Sequence, residues 1–306
     1  MGGGRTTAGA VNAAERGPLA SPATHVPPSI NDYATDFVPK LVVLDVDGTL
    51  IDQDLRLHPR TGAAVTAAAK RLPVILATGR MYRSVLPWAR QLGITEPLVC
   101  YQGALVRELP DGEVPGRVLA EEALPPGVAV RAIEIARAHD WHRQAYVDDE
   151  LFCEQDRPEA HFYARIAGVP IRFVDDLAAV VSGGSTKIVC VSEDRAVVEA
   201  CIAAMSAEFG ERARVTRSME QFVEMSSPLV NKATATELVC RRAGLSLADA
   251  VAVGDAPNDV EMLEAAGCGV AVRHARAEVL AAADATCAPP EQAGVADVLE
   301  HFGLTG

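Results

Sequence analysis

Apolar and polar positions along this chain repeat on two different scales. Residues 40–44 (Lys-Leu-Val-Val-Leu) form a short β-branched run that stops at acidic residues and Gly48, the pattern of a buried parallel strand feeding a loop. Residues 61–72 are Ala-rich and helical, and 73–77 repeat the strand pattern and stop at Thr78-Gly79-Arg80. Residues 84–92 then predict a helix with Pro87 in its first turn, and 98–101 a third strand. Strand, helix, strand, helix, strand predicts a parallel sheet with right-handed crossovers.

Between about 107 and 224 the rhythm changes. Helices at 128–138 and 196–209 stand beside strands at 187–191, 213–216 and 221–225, a mixture that predicts an α+β module with an antiparallel sheet. The βα alternation then returns. Helices are predicted at 234–243, 259–266, 277–282 and 295–301, with strands at 250–253 and 269–272. The fold class is α/β: a doubly wound, Rossmann-like core (37–106 and 225–306) interrupted by an inserted α+β cap (107–224). The first 36 residues carry neither period and are dominated by Gly, Ala, Pro, Ser and Thr. Such a stretch buries too little apolar surface to offset its ordering entropy and is expected to be a disordered tail.

Composition removes several function classes. The 306 residues include 28 basic and 41 acidic side chains, a net charge of −13. That field repels phosphate backbones and anionic lipid, which argues against nucleic-acid and membrane partners. No apolar run approaches the ~18 residues of a membrane span. The seven cysteines lack a C-x-x-C pair and sit mostly in apolar runs, as reduced thiols of a cytoplasmic protein do. Only four lysines accompany 24 arginines, so a lysine at a polar site carries extra weight.

In open α/β sheets, ligands bind at the carboxyl ends of the strands. Four such positions here carry polar chemistry: Asp45-Val46-Asp47-Gly48-Thr49, Thr78-Gly79, Asn231-Lys232, and Gly254-Asp255-Ala256-Pro257-Asn258-Asp259. Asp45, Asp47, Asp255 and Asp259 would meet at one rim, where their repulsion demands a counter-charge. A hard, oxygen-liganded cation is the natural one, and Mg²⁺ prefers one or two carboxylates plus substrate phosphate and water. Lys232 supplies a second positive charge, Thr78 and Asn258 offer neutral donors, and the glycines let backbone N–H groups approach an anion. These are the parts of a phosphoryl-transfer site. His139 and His142 form an H-x-x-H with no third ligand nearby and are read as a helix-end pair. No Walker loop, G-x-G-x-x-G, G-x-S-x-G or H-E-x-x-H occurs.

The series Asp45-Val46-Asp47-Gly48-Thr49, Thr78-Gly79-Arg80, Lys232 and Gly254-Asp255-x-x-Asn258-Asp259 resembles the four motifs of the haloacid dehalogenase superfamily. Val260-Glu261-Met262-Leu263, Gly267, Gly269-Val270-Ala271-Val272, Ala283-Asp284 and Gly294-Val295-Ala296 resemble its Cof-type (class IIB) phosphatases, over about residues 38–304. The resemblance implies Asp45 as nucleophile and Asp47 as acid and base. It implies Mg²⁺ on Asp45, the backbone carbonyl of Asp47, and Asp255. Phosphoryl oxygens would be held by the Val46 N–H, Thr78, Gly79, Lys232 and Asn258, with Asp259 behind Lys232 or a metal water. The second Asp, Asp47, belongs to the superfamily's phosphatases and mutases rather than its carbon–halogen hydrolases.

The sequence departs from the family at Gln102-Gly103 (usually Asn-Gly), at Ala233 (commonly Gly) and at Arg273-His274 (usually Gly-Asn). Arg143, Tyr146, Asp148, His161 and Arg165 are the cap residues expected to set specificity. The expected activity is Mg²⁺-dependent hydrolysis of small phosphorylated metabolites, sugar phosphates foremost, by a monomer or homodimer. A phosphosugar mutase and a non-catalytic metabolite-binding regulator are the alternatives.

Overall fold

The computed structural model describes residues 26–306 except Ser218. The first half of the core runs β1 (Leu41–Leu44), α1 (Pro59–Ala68), β2 (Val74–Leu76), α2 (Tyr82–Leu92) and β3 (Leu98–Cys100), followed by a hairpin of β4 (Leu105–Arg107) and β5 (Val118–Glu121). The insertion comprises α3 (Pro126–Ala138), β6 (His142–Val147), β7 (Glu150–Cys153), α4 (Pro158–Ala167), β8 (Ile171–Phe173), α5 (Leu177–Val180), β9 (Lys187–Val191), α6 (Arg195–Phe209), β10 (Arg214–Arg217) and β11 (Phe222–Ser226). The core then resumes with α7 (Lys232–Arg242), β12 (Ala250–Gly254), α8 (Val260–Ala265), β13 (Cys268–Val272), α9 (Ala277–Ala281), β14 (Ala285–Cys287) and α10 (Gly294–His301).

The core sheet has the order β14-β13-β12-β1-β2, every pair parallel. Side chains alternate across it. Val42 and Leu44 of β1 pack with α1, α2 and α10, whereas Leu41 and Val43 pack with α7, α8 and α9. Burial on both faces explains why these strands read as continuous apolar runs. A single parallel bridge, Ala77 to Val99, carries the sheet towards β3.

Three features differ from the sequence expectation. The β4–β5 hairpin pairs with β3 in an antiparallel three-stranded sheet, and β5 packs Leu119 and Ala120 on the core. The insertion's own apolar cluster starts at Leu124, so residues 107–121 lie with the core. The expected tail divides. Residues 1–25 lie outside the described residues. Beyond them Thr286 N–H donates to the Pro28 carbonyl at 2.8 Å, and Ile30 is buried against the core. Tyr33 also packs on the core and Ser29 bridges Thr286 of β14, so a few contacts dock a segment that carries no apolar period. Helix α2 begins at Tyr82, two residues before the expected start, so Pro87 lies inside it. Met81 provides no side-chain cap there; Asp149 of the insertion accepts from the N–H groups of Tyr82 and Arg83, both at 2.9 Å. The cap therefore completes a helix of the core.

The cap sheet has the order β10-β11-β9-β6-β7-β8 and is antiparallel except for β7–β8. Its two faces differ. Ala145, Ile188, Cys190, Val223 and Met225 pack with α3 and α6, while Tyr146, Val189, Val191 and Phe222 join the cluster that runs into the core. The cap is thus closed over the carboxyl ends of the core strands.

Candidate active site

Asp45 follows β1 directly and is 4% exposed. Lys232, 1% exposed, is the first residue of α7, where a reciprocal capping box between Asn231 and Thr234 sets the helix start. From that position Lys232 Nζ donates to Asp45 Oδ1 at 2.6 Å and to Asp259 Oδ1 at 2.7 Å. The other oxygen of Asp259 accepts from the N–H groups of Asp255 and Ala256, both at 3.0 Å, which locks the loop after β12. Thr49 Oγ1 lies 3.3 Å from Asp255 Oδ1, and His274 Nε2 lies 3.1 Å from Asp255 Oδ2. Gly48 lets this crowding occur. It adopts φ +81°, and a Cβ there would stand 2.3 Å from Asp255 Oδ2.

One oxygen each from Asp45, Asp255 and Asp259 lies within 4.8 Å of the others. Burial, with the negative charges of Asp259, Asp255 and Asp47 adding to it, pushes the Asp45 carboxyl well above the usual carboxylate range against the pull of Lys232. Burial works against the charge of Lys232, but Asp259 and Asp45 outweigh it and hold the ammonium above its ordinary value. One lysine thus faces several carboxylates, and the hard oxygen donors of Asp45, Asp255 and Asp259 could hold a metal ion. The donor set fits Mg²⁺. The Asp255 carboxylate also holds the His274 imidazole above its ordinary value.

The remaining expected residues take these places. Asp47 does not join the carboxylate cluster. Its side chain, 50% exposed, is gripped by Arg80, whose Nε and Nη2 approach its oxygens at 2.6–3.0 Å. Val46 is buried, and its carbonyl accepts from the N–H groups of Leu50 and Ile51. Thr78 is buried and its Oγ1 accepts from Arg80 N–H at 3.1 Å. The Gly79 carbonyl accepts from Lys187 Nζ at 3.1 Å. Asn258 Nδ2 donates to Gln102 Oε1, and its own Oδ1 is buried with no partner among the described residues. The Gln102 departure therefore touches a predicted phosphate-binding side chain.

Of the five cap residues, Tyr146 faces the core and is fully buried. Arg143 pairs with Glu154 inside the cap, Asp148 and Arg165 are exposed, and His161 pairs with Asp156 at the surface. Sequence reasoning missed Asp149 and the buried Lys187, which pairs with Glu224 at 3.1 Å. For Asp149 the sequence holds no signal. For Lys187 the scarcity of lysine was one. Arg80 stood in its motif, but its grip on Asp47 is a tertiary fact.

The family model for haloacid dehalogenase-like hydrolases matches residues 42–299, and the chain belongs to that family. It is an enzyme of the hydrolase class, and curated relatives matched over nearly their whole length are named phosphatases. It is 29% identical over 277 residues to the 5-amino-6-(5-phospho-D-ribitylamino)uracil phosphatase YitU of Bacillus subtilis, covering 87% of this chain and 98% of that one. It is 28% identical over 269 residues to a phosphoglycolate phosphatase of Archaeoglobus fulgidus, covering 88% and 99%. A solved structure from Thermotoga maritima superposes with a TM-score of 0.76 at 30% identity, covering 86% of this chain and 97% of that chain. Among the described residues no helix is long and apolar enough to cross a membrane.

Proposed function

We propose that this chain is a Mg²⁺-dependent phosphomonoester hydrolase of small phosphorylated metabolites, sugar phosphates foremost, working through an aspartyl-phosphate on Asp45. The observation that carries this reading is a buried Asp45 held at 2.6 Å by Lys232 among carboxylates at the strand ends. An oxygen of Asp45 attacks phosphorus, the bond from phosphorus to the leaving oxygen breaks, and Asp47 delivers a proton to that oxygen. A water then attacks the phosphoryl group, Asp47 takes its proton, and the bond from phosphorus to Asp45 breaks. Lys232, Thr78, Gly79, Asn258 and the Val46 N–H bind the phosphoryl oxygens, and Arg80 orients Asp47. Asp45, the Asp47 carbonyl and Asp255 would hold Mg²⁺, with Asp259 bracing Lys232; the ion supplies charge neutralisation at the transferring phosphoryl group. The closed cap excludes water from the first half-reaction.

The sugar-phosphate reading draws support from the phospho-ribityl chain in the name of the Bacillus relative. The seven buried, unpaired cysteines suit a cytoplasmic enzyme. We infer a monomer or homodimer with neither nucleic-acid nor membrane partner. Hydrolysis of p-nitrophenyl phosphate by wild type and Asp45→Asn, with and without EDTA, tests the proposal. Mg²⁺-dependent release of phosphate that Asp45→Asn abolishes is expected, and equal rates for the two proteins overturn it. A panel of phosphorylated metabolites ranked by kcat/KM then tests the sugar-phosphate reading.

A further inference from the structure

The cap sheet turns an unusual set of side chains towards the core. Its β9 begins at Lys187, which is 1% exposed and whose register partner on β6 is Tyr146. Lys187 Nζ donates to Glu224 Oε1 on β11 and to the Gly79 carbonyl of the core, both at 3.1 Å. It also stands over the rings of Tyr146, Tyr101 and Tyr163, 5.1, 5.7 and 5.9 Å from their centroids. Burial works against this ammonium, but Glu224 and the Tyr163 hydroxyl outweigh it and hold it above its ordinary value.

Stability alone is a poor reason for such a pair. A buried ion pair replaced by well-packed apolar residues is often neutral or stabilising. The feature that an apolar pair could not reproduce is the bond that leaves the cap. The Gly79 carbonyl belongs to the loop after β2, whose Thr78 hydroxyl accepts from Arg80 N–H and whose Arg80 grips Asp47. The same segment is held from the cap at two further points. Arg80 Nη1 donates to the Ile166 carbonyl at 3.3 Å, and Asp149 accepts from the N–H groups of Tyr82 and Arg83. Lys187 is the contact nearest Thr78 and Gly79.

Resting on the hydrolase reading above, we propose that Lys187 is a positioning residue for phosphoryl transfer. On cap closure its ammonium fixes the Gly79 carbonyl, and through that peptide's Arg80 N–H, which donates to Thr78 Oγ1, it holds the loop so that the Thr78 and Gly79 donors face the phosphoryl oxygens. It acts through the loop and touches no substrate atom.

The test uses the full chain, p-nitrophenyl phosphate as substrate and orthovanadate as a phosphoryl-site probe. Lys187→Met combined with Glu224→Met removes both charges together. It is expected to keep the melting temperature while lowering kcat and weakening orthovanadate inhibition by roughly 10-fold each, in line with the loss of an oriented donor. Lys187→Arg, which can still donate to Gly79, is expected to restore most of both. Glu224→Gln, which leaves the ammonium in place, is expected to lie near wild type. Wild-type kcat and inhibition in the folded double variant overturn the proposal. Equal damage from Glu224→Gln and Lys187→Met also overturns it, because the ion pair rather than the loop contact would then matter. If the double variant does not fold, Lys187→Gln decides by the same two readouts. An Asp45→Asn protein as active as wild type would sink the hydrolase reading instead, and orthovanadate binding remains readable apart from turnover.

Discussion

Two buried lysines face each other's territory across the cap–core boundary, and their surroundings differ. Lys232 lies between two carboxylates, Asp45 and Asp259, with Asp255 beside them. Its corner of the core gathers three carboxylates around one ammonium, a group that could hold a metal ion. Among the described residues Lys187 pairs with the carboxylate of Glu224, stands over three tyrosine rings and donates to the Gly79 carbonyl. That corner of the cap sets the ammonium against a carboxylate at 3.1 Å, one charge to one charge in that pair. The contrast teaches that burial of a charge is not itself a sign of chemistry. The sign is a charge balance left incomplete until a ligand arrives.

The sharpest way to break the comparison is Lys232→Met. It leaves Asp45 and Asp259 buried without their shared cation, which should cost about 3–5 kcal/mol in denaturant unfolding and lower kcat by ~100-fold or more. If Lys232→Met matches the double variant at Lys187 and Glu224 in both stability and kcat, the two sites are equivalent and the distinction fails.

Arg80→Ala frees the Asp47 carboxylate while leaving the carboxylate cluster untouched. A fall in kcat of no more than about 100-fold is expected, because positioned acid–base help is being loosened rather than removed. The fall should be larger for a substrate with a poor leaving group than for p-nitrophenyl phosphate. An equal fall for both substrates would place Arg80 outside the proton transfer.

The two lysines also predict an alkaline limb. Each ammonium is held above its ordinary value of 10.5 in the folded protein. The stability each contributes is fully present below pH 10.5 and is lost as pH rises from there through the raised folded value. Removing Lys187 together with Glu224 should flatten the slope by about 1.4 kcal/mol per pH unit for the one missing proton. Urea unfolding at a series of pH values above 10.5 measures it, and an unchanged slope contradicts the environment assigned to Lys187.

The smallest effect is expected from His274→Asn. The imidazole reaches Asp255 from outside the carboxylate cluster. Its loss should change Mg²⁺ affinity by about 10-fold or less, read by calorimetry, with melting temperature unmoved in the metal-free protein.

Much of the core was legible because its strands are buried on both faces and end in polar loops. Runs such as 41–44 and 250–254 announce themselves by continuous apolar character. The cap was legible as an α+β insertion, but β6, β7, α4 and β8 were not. β6 (His-Arg-Gln-Ala-Tyr-Val) is buried over most of its length although half of it is polar. Its polar side chains find partners only in the folded sheet, as Gln144 does in the Tyr146 hydroxyl. Hydrophobic periodicity cannot see a strand whose buried face is polar.

The sequence by itself determined the α/β core, the insertion and the four strand-end motifs, because apolar period and local loop chemistry are written residue by residue. The tertiary structure alone decided that Asp149 caps a helix of the core, that Arg80 takes Asp47, and that Lys187 reaches Gly79 from 108 positions away. Those are contacts between segments with no fixed spacing, created only when closing the cap buries polar groups that must then find one another.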